Sequence, residues 1–257
     1  MQVNLTLQQI EFFLAILMRI SGFVYTAPFF GLRNVPFRVK TGFSILTAII
    51  MMNVLPYEPL NYTGVIGFAL LIAGETLAGI ILGFFANIVY QVLAFAGQLM
   101  DLEIGFSMVN EMDPVTSAQV TVSGNLYSYA VMLLLMVTYM HHYLLEALID
   151  CFTLLPVGTI ALNPLIYTVA ARFMGEYFVL AFRVILPVFA AMLIVNTILA
   201  ILAKVAPQMS LFVIGIQLKV LVGLAVMVVM IQMLPGIGEL IFDKMMDMIR
   251  SAIPYLG

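Results

Sequence analysis

Charged residues are scarce in this chain. Lys, Arg, Asp and Glu make up 9% of its 257 residues, whereas an ordinary soluble domain contains about 25%. A soluble fold could not cover its surface with so few charges. In addition, 64% of the residues are hydrophobic, and several apolar runs exceed the roughly 18 residues that indicate a membrane-spanning helix. The composition therefore excludes a soluble globular protein and predicts an all-α integral membrane protein.

Cysteines, basic clusters and a cleavable leader are also lacking. Cys151 is the single cysteine, which excludes an internal disulfide. A net charge of −3 without a long basic run gives no reason to expect nucleic acid as a partner. The first residues lack the positive region and small-residue cleavage site of a removable signal peptide. We therefore expect the first apolar run to be a retained helix.

Lys and Arg are absent from residues 41–171, although this segment carries eight Asp and Glu residues. The positive-inside rule places basic residues in cytoplasmic loops, and this half of the chain has none to place there. Its helices could form hairpins within a protein assembly or on the extracytoplasmic side. Alternatively, Arg33, Arg38 and Lys40 alone could set the orientation.

Sequence signals for catalysis are weak. The chain has no Gly-rich phosphate loop, Ser/His/Asp set or Cys-x-x-Cys pair. His141 and His142 are adjacent, so their rings are expected to point to different sides of a helix rather than bind one metal ion. An intramembrane protease could pair one of them with Asp150, and otherwise the sequence predicts no enzyme, no cofactor and no metal site.

Two of the apolar runs are too long for a simple membrane crossing. Residues 64–100 would form a helix of about 55 Å, against a hydrocarbon core of about 30 Å. Residues 165–206 form a longer run, in which Pro187 is expected to kink the helix. These runs either bend into hairpins or project beyond the bilayer. The other predicted helices are 7–30, 41–54, 125–152, 211–233 and an amphipathic interfacial helix at 238–253.

Ionisable residues within the apolar runs indicate helix pairing or transport. Glu75 and Arg183 are the clearest cases, Arg19 is a third, and Arg172 and Glu176 are spaced for a local pair. Such groups are costly in a membrane unless they are paired or face water. As cross-links between helices they would indicate an assembly subunit. As a proton or ion relay they would indicate a transporter.

Gly79 and Gly83 form a GxxxG pair. This spacing lets helix backbones approach closely in lipid, where van der Waals packing replaces the hydrophobic effect. The sequence therefore predicts tight helix packing at these glycines. The partner helix could belong to this chain or to another subunit.

Four stretches, taken in order, carry a resemblance to a known family. They are "TAPFFGLRNVPFRVKTG" (26–42), "GQLMDLEIGFSMVNEMDP" (97–114), "LLPVG" (154–158) and "APQMSLFVIGIQLKVLVG" (206–223). Together they resemble the FliR-type subunit of the flagellar protein-export gate, known as the SctT type in virulence type III secretion. The Asp-Pro pair that ends the second stretch is more similar to the flagellar branch.

The resemblance implies one membrane-embedded subunit over residues 1–257, with a fold like a fusion of FliP-like and FliQ-like proteins. Its helices would form tilted hairpins with long kinked members. It would assemble with FliP-like, FliQ-like and FlhB-like subunits in the bacterial inner membrane, at the flagellar basal body. Unfolded flagellar proteins would pass through the complex. The implied segments are N-terminal helices at 1–100, a pore-plug loop at 101–123, central hairpins at 124–206 and a C-terminal hairpin with an amphipathic helix at 207–257.

The acidic passage after Met100 is the expected gate. A flexible linker is polar throughout, whereas this passage alternates apolar and polar residues. A loop folded into a pore would use both kinds, although an ordinary inter-helix loop is the alternative. The runner-up function is an ion- or proton-coupled secondary transporter that uses the intramembrane charges. The expected plug residues are Ile104, Gly105, Phe106, Ser107, Met108, Val109, Asn110, Glu111, Met112, Asp113 and Pro114.

Overall fold

The computed structural model describes residues 6–32, 34–106, 121–206 and 211–257, and within them it contains eight α-helices and no strand. This confirms the all-α prediction. The helices are α1 (Leu7–Thr26), α2 (Phe37–Val54), α3 (Gly64–Ile104), α4 (Val122–Val137), α5 (Met140–Leu154), α6 (Ile166–Val205), α7 (Leu211–Met230) and α8 (Leu234–Ala252).

Five stretches of the described residues are long and apolar enough to cross a membrane. They are α1, α2, α3, α6 and the stretch Ile214–Tyr255, which joins α7 to α8. A sixth arises if α4 and α5 are counted as one broken span. The chain is thus an integral membrane protein with several spans.

The two long runs remain single helices. α3 has 41 residues and α6 has 40, which gives each a length of about 60 Å, twice the hydrocarbon thickness. Neither folds into a hairpin, so the excess length must tilt or extend beyond the bilayer. α6 continues through Pro187, which has no amide hydrogen to donate to the carbonyl of Arg183 four residues earlier.

The run predicted as one helix at 125–152 is two helices, so that prediction is wrong. α4 ends at Val137, Tyr139 takes a left-handed conformation with φ of 59°, and α5 begins at Met140. The backbone amide and the side chain of Thr138 both donate to the carbonyl of Leu134. These bonds give the carbonyl of Leu134 two donors at the end of α4. Hydropathy alone does not indicate that a helix ends here, inside an otherwise continuous apolar run.

The helices contribute to two compact units. Unit 1 comprises Met1–Val89, Tyr139–Met174 and Phe242–Gly257, and unit 2 comprises Tyr90–Thr138 and Gly175–Ile241. α8 has the amphipathic pattern expected near the C-terminal end of the sequence. Its buried apolar residues include Ile237, Ile241, Met245 and Ile249, and its exposed charged residues are Glu239, Asp243, Asp247 and Arg250.

Candidate functional site

The acidic passage begins later than predicted, because α3 continues to Ile104 rather than ending near Met100. Gly105 then takes φ of 97°, a left-handed conformation that glycine adopts without steric cost. Its amide donates to the carbonyl of Asp101 at 3.0 Å. Gly105 therefore terminates the helix, and residues 101–104 belong to α3.

A buried carboxylate joins the two ends of this passage within unit 2. Asp101 is fully buried, and its Oδ1 accepts a hydrogen bond from the backbone amide of Ser123 at 3.1 Å. Ser123 lies in the first turn of α4, where amides have no acceptor within the helix and a negative charge is favourable. Thr121, at the usual capping position, makes no side-chain cap bond. Asp101 therefore caps α4 from the last turn of α3.

The second oxygen of Asp101 has a different environment. Among the described residues no donor lies within hydrogen-bonding distance of Oδ2, although this atom is buried. The hydroxyl of Ser123 donates to Met227 Sδ at 3.3 Å. The carboxylate is thus half satisfied by the residues around it.

Small residues bring α4 and α7 close to the end of α3. A Cβ atom on Gly97 would overlap the backbone of Gly124, and a Cβ on Gly223 would lie 2.7 Å from the fully buried side chain of Ile104. Side chains at these glycines would push the helices apart. The end of α3 and the start of α4, on either side of the passage, are therefore closely packed.

The expected plug residues fall into two groups. Ile104 is a helical packing residue, and Gly105 and Phe106 are half-buried beyond it. The others lie outside the described residues: Ser107, Met108, Val109, Asn110, Glu111, Met112, Asp113 and Pro114.

Replacing Asp101 by Ala should lower the unfolding free energy of the purified protein by about 1–3 kcal/mol, because the buried amide of Ser123 loses its acceptor. Asn at the same position retains an acceptor oxygen and should remain within about 0.5 kcal/mol of the parent. Thermal unfolding in detergent, followed by circular dichroism, measures both. Equal stability of the Ala variant and the parent would contradict the capping role.

Unit 1 contains a buried ion pair between two predicted intramembrane charges. Arg19 in α1 and Glu75 in α3 both have 0% exposed side chains, and Arg19 Nε donates to Glu75 Oε2 at 2.6 Å. An isolated charge at such a position would be very costly. The pair connects two helices far apart in the sequence.

The remaining polar atoms of this pair bind the segment after α5. Arg19 Nη1 donates to the carbonyl of Leu155 at 2.8 Å, and the amide of Gly158 donates to Glu75 Oε1 at 2.7 Å. The guanidinium also lies over the ring of Phe152, 4.3 Å from its centre. Both carboxylate oxygens of Glu75 are thus occupied within the chain. The "LLPVG" stretch supplies the carbonyl and the amide.

The other predicted intramembrane charges lie elsewhere. Arg172 and Arg183 are exposed, Glu176 is half-buried, and none of the three bonds to Arg19 or Glu75. Tyr62 lies between α2 and α3, outside the spans. Its hydroxyl donates to Glu11 Oε1 of α1 at 2.7 Å, and this bond to a carboxylate raises the pKa of the tyrosine.

The helix that packs against Gly79 and Gly83 is α1 of the same chain. A Cβ atom on Gly79 would overlap the carbonyl oxygen of Arg19, and one on Gly83 would overlap the hydroxyl of Thr26. A Cβ atom on Gly22 of α1 would lie 2.6 Å from the carbonyl oxygen of Thr76 in α3. The backbones therefore touch at three glycines, as the GxxxG spacing allows.

His141 and His142 lie closer together than expected. Their ring centres are 4.2 Å apart, and Tyr139 stacks on His142. The expectation that the rings diverge is wrong, because side chains at the first turn of α5 can lean together beside the left-handed Tyr139. In the described part of the chain, no group of three or more His, Cys, Asp or Glu residues is placed to hold a metal ion.

Sequence reasoning missed several residues that build these sites. Asp101 was expected in a loop rather than in a helix, and Gly22, Gly97 and Gly124 were not singled out. None of these glycines has a second glycine at GxxxG spacing, so that motif does not mark them. Their partners become visible only when the helices are packed.

Comparisons with known proteins agree on one group. A family model described as bacterial export proteins, family 1, matches residues 10–245. The flagellar biosynthetic protein FliR of Bacillus subtilis is 30% identical over 250 residues, which cover 95% of each chain. FliR of Pectobacterium carotovorum is 29% identical over 93% of this chain and 91% of its own length. FliR of Escherichia coli is 29% identical over 93% and 92%.

Proposed function

Because the chain belongs to the FliR family of bacterial export proteins, in its flagellar branch, we propose that it forms part of a protein-conducting channel and carries the plug that closes it. The chain is a multi-pass membrane component of the flagellar export apparatus. The channel would pass unfolded flagellar proteins across the bacterial inner membrane. Its partners would be FliP-like, FliQ-like and FlhB-like subunits.

The observation that carries the plug proposal is the bond between Asp101 and Ser123. It joins described residues on either side of residues 107–120, and a chain of that length could extend at most roughly 25 Å beyond them. A plug needs such a tether, because it must return to the same opening after each transport event. Within the segment, Met108 and Met112 would seal against a pore lining, while Glu111 and Asp113 would face water or backbone donors.

The contacts of Glu75 argue against the alternative of a coupled transporter. A coupling carboxylate must release and take up protons or ions through water or a polar path. Glu75 instead has both oxygens bonded and no exposed side-chain surface. The pair with Arg19 fits a structural cross-link between helices.

Deleting residues 105–117 tests the plug. We expect the complex to assemble at the level of the parent. It should conduct small ions at rest, with a closed-state conductance about tenfold or more above that of the parent, because no segment would remain to close the pore. Planar-bilayer recording of the purified complex measures the conductance, and native mass spectrometry measures assembly.

A second variant separates plugging from the geometry of the helix end. Residues 107–117 are replaced by Gly and Ser at unchanged length, which keeps Gly105 and the bond between Asp101 and Ser123. This variant should also leak, since its segment lacks the apolar side chains. Closed-state conductance equal to that of the parent in both variants would refute the plug role.

A further inference from the structure

Arg183 lies near the middle of α6 on an exposed face. It is the eighteenth residue of the 40-residue helix, about 25 Å or more from either end. The exposed face is apolar on both sides of the guanidinium, over a band of roughly 24 Å from Phe178 to Ile194. A charge inside such a band is costly in a membrane. The exposed apolar residues of this band include Phe178, Val179, Phe182, Leu186, Leu193 and Ile194.

The structure describes no partner for this arginine. Among the described residues, none forms an ion pair or hydrogen bond with the Arg183 side chain. Arg19 shows what an arginine in an apolar run of this chain requires, since it binds a carboxylate and two carbonyl oxygens. Arg183 also lies in an apolar run, and the described part of the chain offers it no such acceptor.

Pro187 adds a second polar group to the same turn of α6. The helix continues through this proline, which offers no amide hydrogen to the carbonyl of Arg183. The face therefore combines a cation that needs an acceptor with a carbonyl that lacks its helical donor. A partner helix that offers an acceptor to the guanidinium and a donor to the carbonyl would satisfy the face.

We propose that this face of α6, formed by Arg183 and the apolar residues around it, binds an apolar helix of another export-apparatus subunit that carries an Asp or Glu. The carboxylate would accept a two-pronged hydrogen bond from the guanidinium. A lipid phosphate fits less well, because the side chain would have to cross exposed apolar residues in either direction to reach headgroups. The inference rests on the proposed assembly with partner subunits and is independent of the plug.

The test begins with charge reversal in the full complex. Arg183→Glu should lower the amount of intact complex recovered from membranes about tenfold or more, because two carboxylates would then face each other. Arg183→Lys keeps the charge but cannot donate two parallel hydrogen bonds to a carboxylate. It should lower the recovery of the complex about two- to threefold. Lys204→Glu, an exposed reversal at the end of the same helix, is the matched control and should change recovery less than about twofold.

Rescue identifies the partner. Each Asp and Glu in the apolar helices of the co-expressed subunits is changed to Arg in the Arg183→Glu background. One such change should restore recovery to within about threefold of the parent. The amount of the variant subunit in the membrane and its thermal unfolding are measured in parallel. If both the amount and the thermal unfolding of the variant subunit equal those of the parent, the lost recovery reflects lost assembly and not misfolding.

Four outcomes would overturn the inference. Recovery of the Arg183→Glu complex at the parental level would show that the face binds no carboxylate. Rescue by Glu111→Arg or Asp113→Arg would assign the contact to residues 107–120 of this chain, and rescue by Glu176→Arg would assign it to a carboxylate of α6 itself. Failure of every partner reversal, with recovery depending on anionic lipid in the detergent extract, would assign it to a lipid headgroup. None of these readouts depends on channel conductance, so the plug can fail while this interface stands.

Discussion

Replacing Glu75 by Leu is expected to lower the unfolding free energy of the subunit by about 3–5 kcal/mol, because Arg19 would remain buried and charged without its carboxylate. The amide of Gly158 would also lose its acceptor. Such a loss is a large part of the total stability of a domain. Thermal unfolding of the detergent-purified subunit, followed by circular dichroism, measures the effect.

Two further variants show whether the charge imbalance causes this loss. The double variant Arg19→Met with Glu75→Leu removes both charges and should recover more than half of the stability, since apolar residues often replace a buried pair without penalty. Glu58→Gln removes an exposed carboxylate and should change the stability by less than about 0.5 kcal/mol. If the double variant is less stable than Glu75→Leu alone, the imbalance is not the cause.

Gly79→Leu or Gly83→Leu should abolish recovery of the assembled complex. The obstructing atoms at both positions include backbone of α1, which cannot rotate away as a side chain can. The effect should therefore exceed the about 1–3 kcal/mol of ordinary overpacking. Separating α1 from α3 would also strain the bond between Arg19 and Glu75. Native mass spectrometry of the complex purified from these strains gives the readout.

A nearby glycine in α3 serves as the control. A Cβ atom on Gly74 would meet Ile160 at 3.7 Å, an ordinary contact distance. Gly74→Ala should therefore leave assembly intact and raise stability slightly, since Ala favours the helix more than Gly. An intact complex of parental mass from Gly79→Leu would show that the backbones of α1 and α3 need not touch.

Hydropathy was sufficient to predict most of the helices. The apolar runs gave the starts of α1 and α3 at Leu7 and Gly64, because membrane helices are long and their flanks contain Pro, Gly and polar residues. The break before α5 could not be predicted, since a left-handed Tyr139 leaves no mark in an apolar run. The end of α3 was misplaced because Asp101 looked like a loop residue until its partner on α4 was known.

The candidate sites were predictable as residue types but not as pairs. Glu75 and Arg19 stand out because charges are rare in apolar runs. That they bind each other, together with Leu155 and Gly158, depends on contacts between residues that are 56 to 137 positions apart. Periodicity and spacing describe only neighbours on one helix. Which residues pair across different helices can be seen only in the folded structure.

The contacts of Arg19 have a consequence for biosynthesis. Its carboxylate partner emerges 56 residues later, and its carbonyl partner Leu155 emerges 136 residues later. At 5–20 residues per second, the nascent chain therefore carries an uncompensated arginine in its first span for on the order of 10 s. During this interval we expect α1 to be less stable in lipid than in the finished fold, because its arginine has no acceptor from the chain. Glu75 neutralises this charge before a third of the polypeptide has been made, whereas the bond to the carbonyl of Leu155 is completed only after more than half of it.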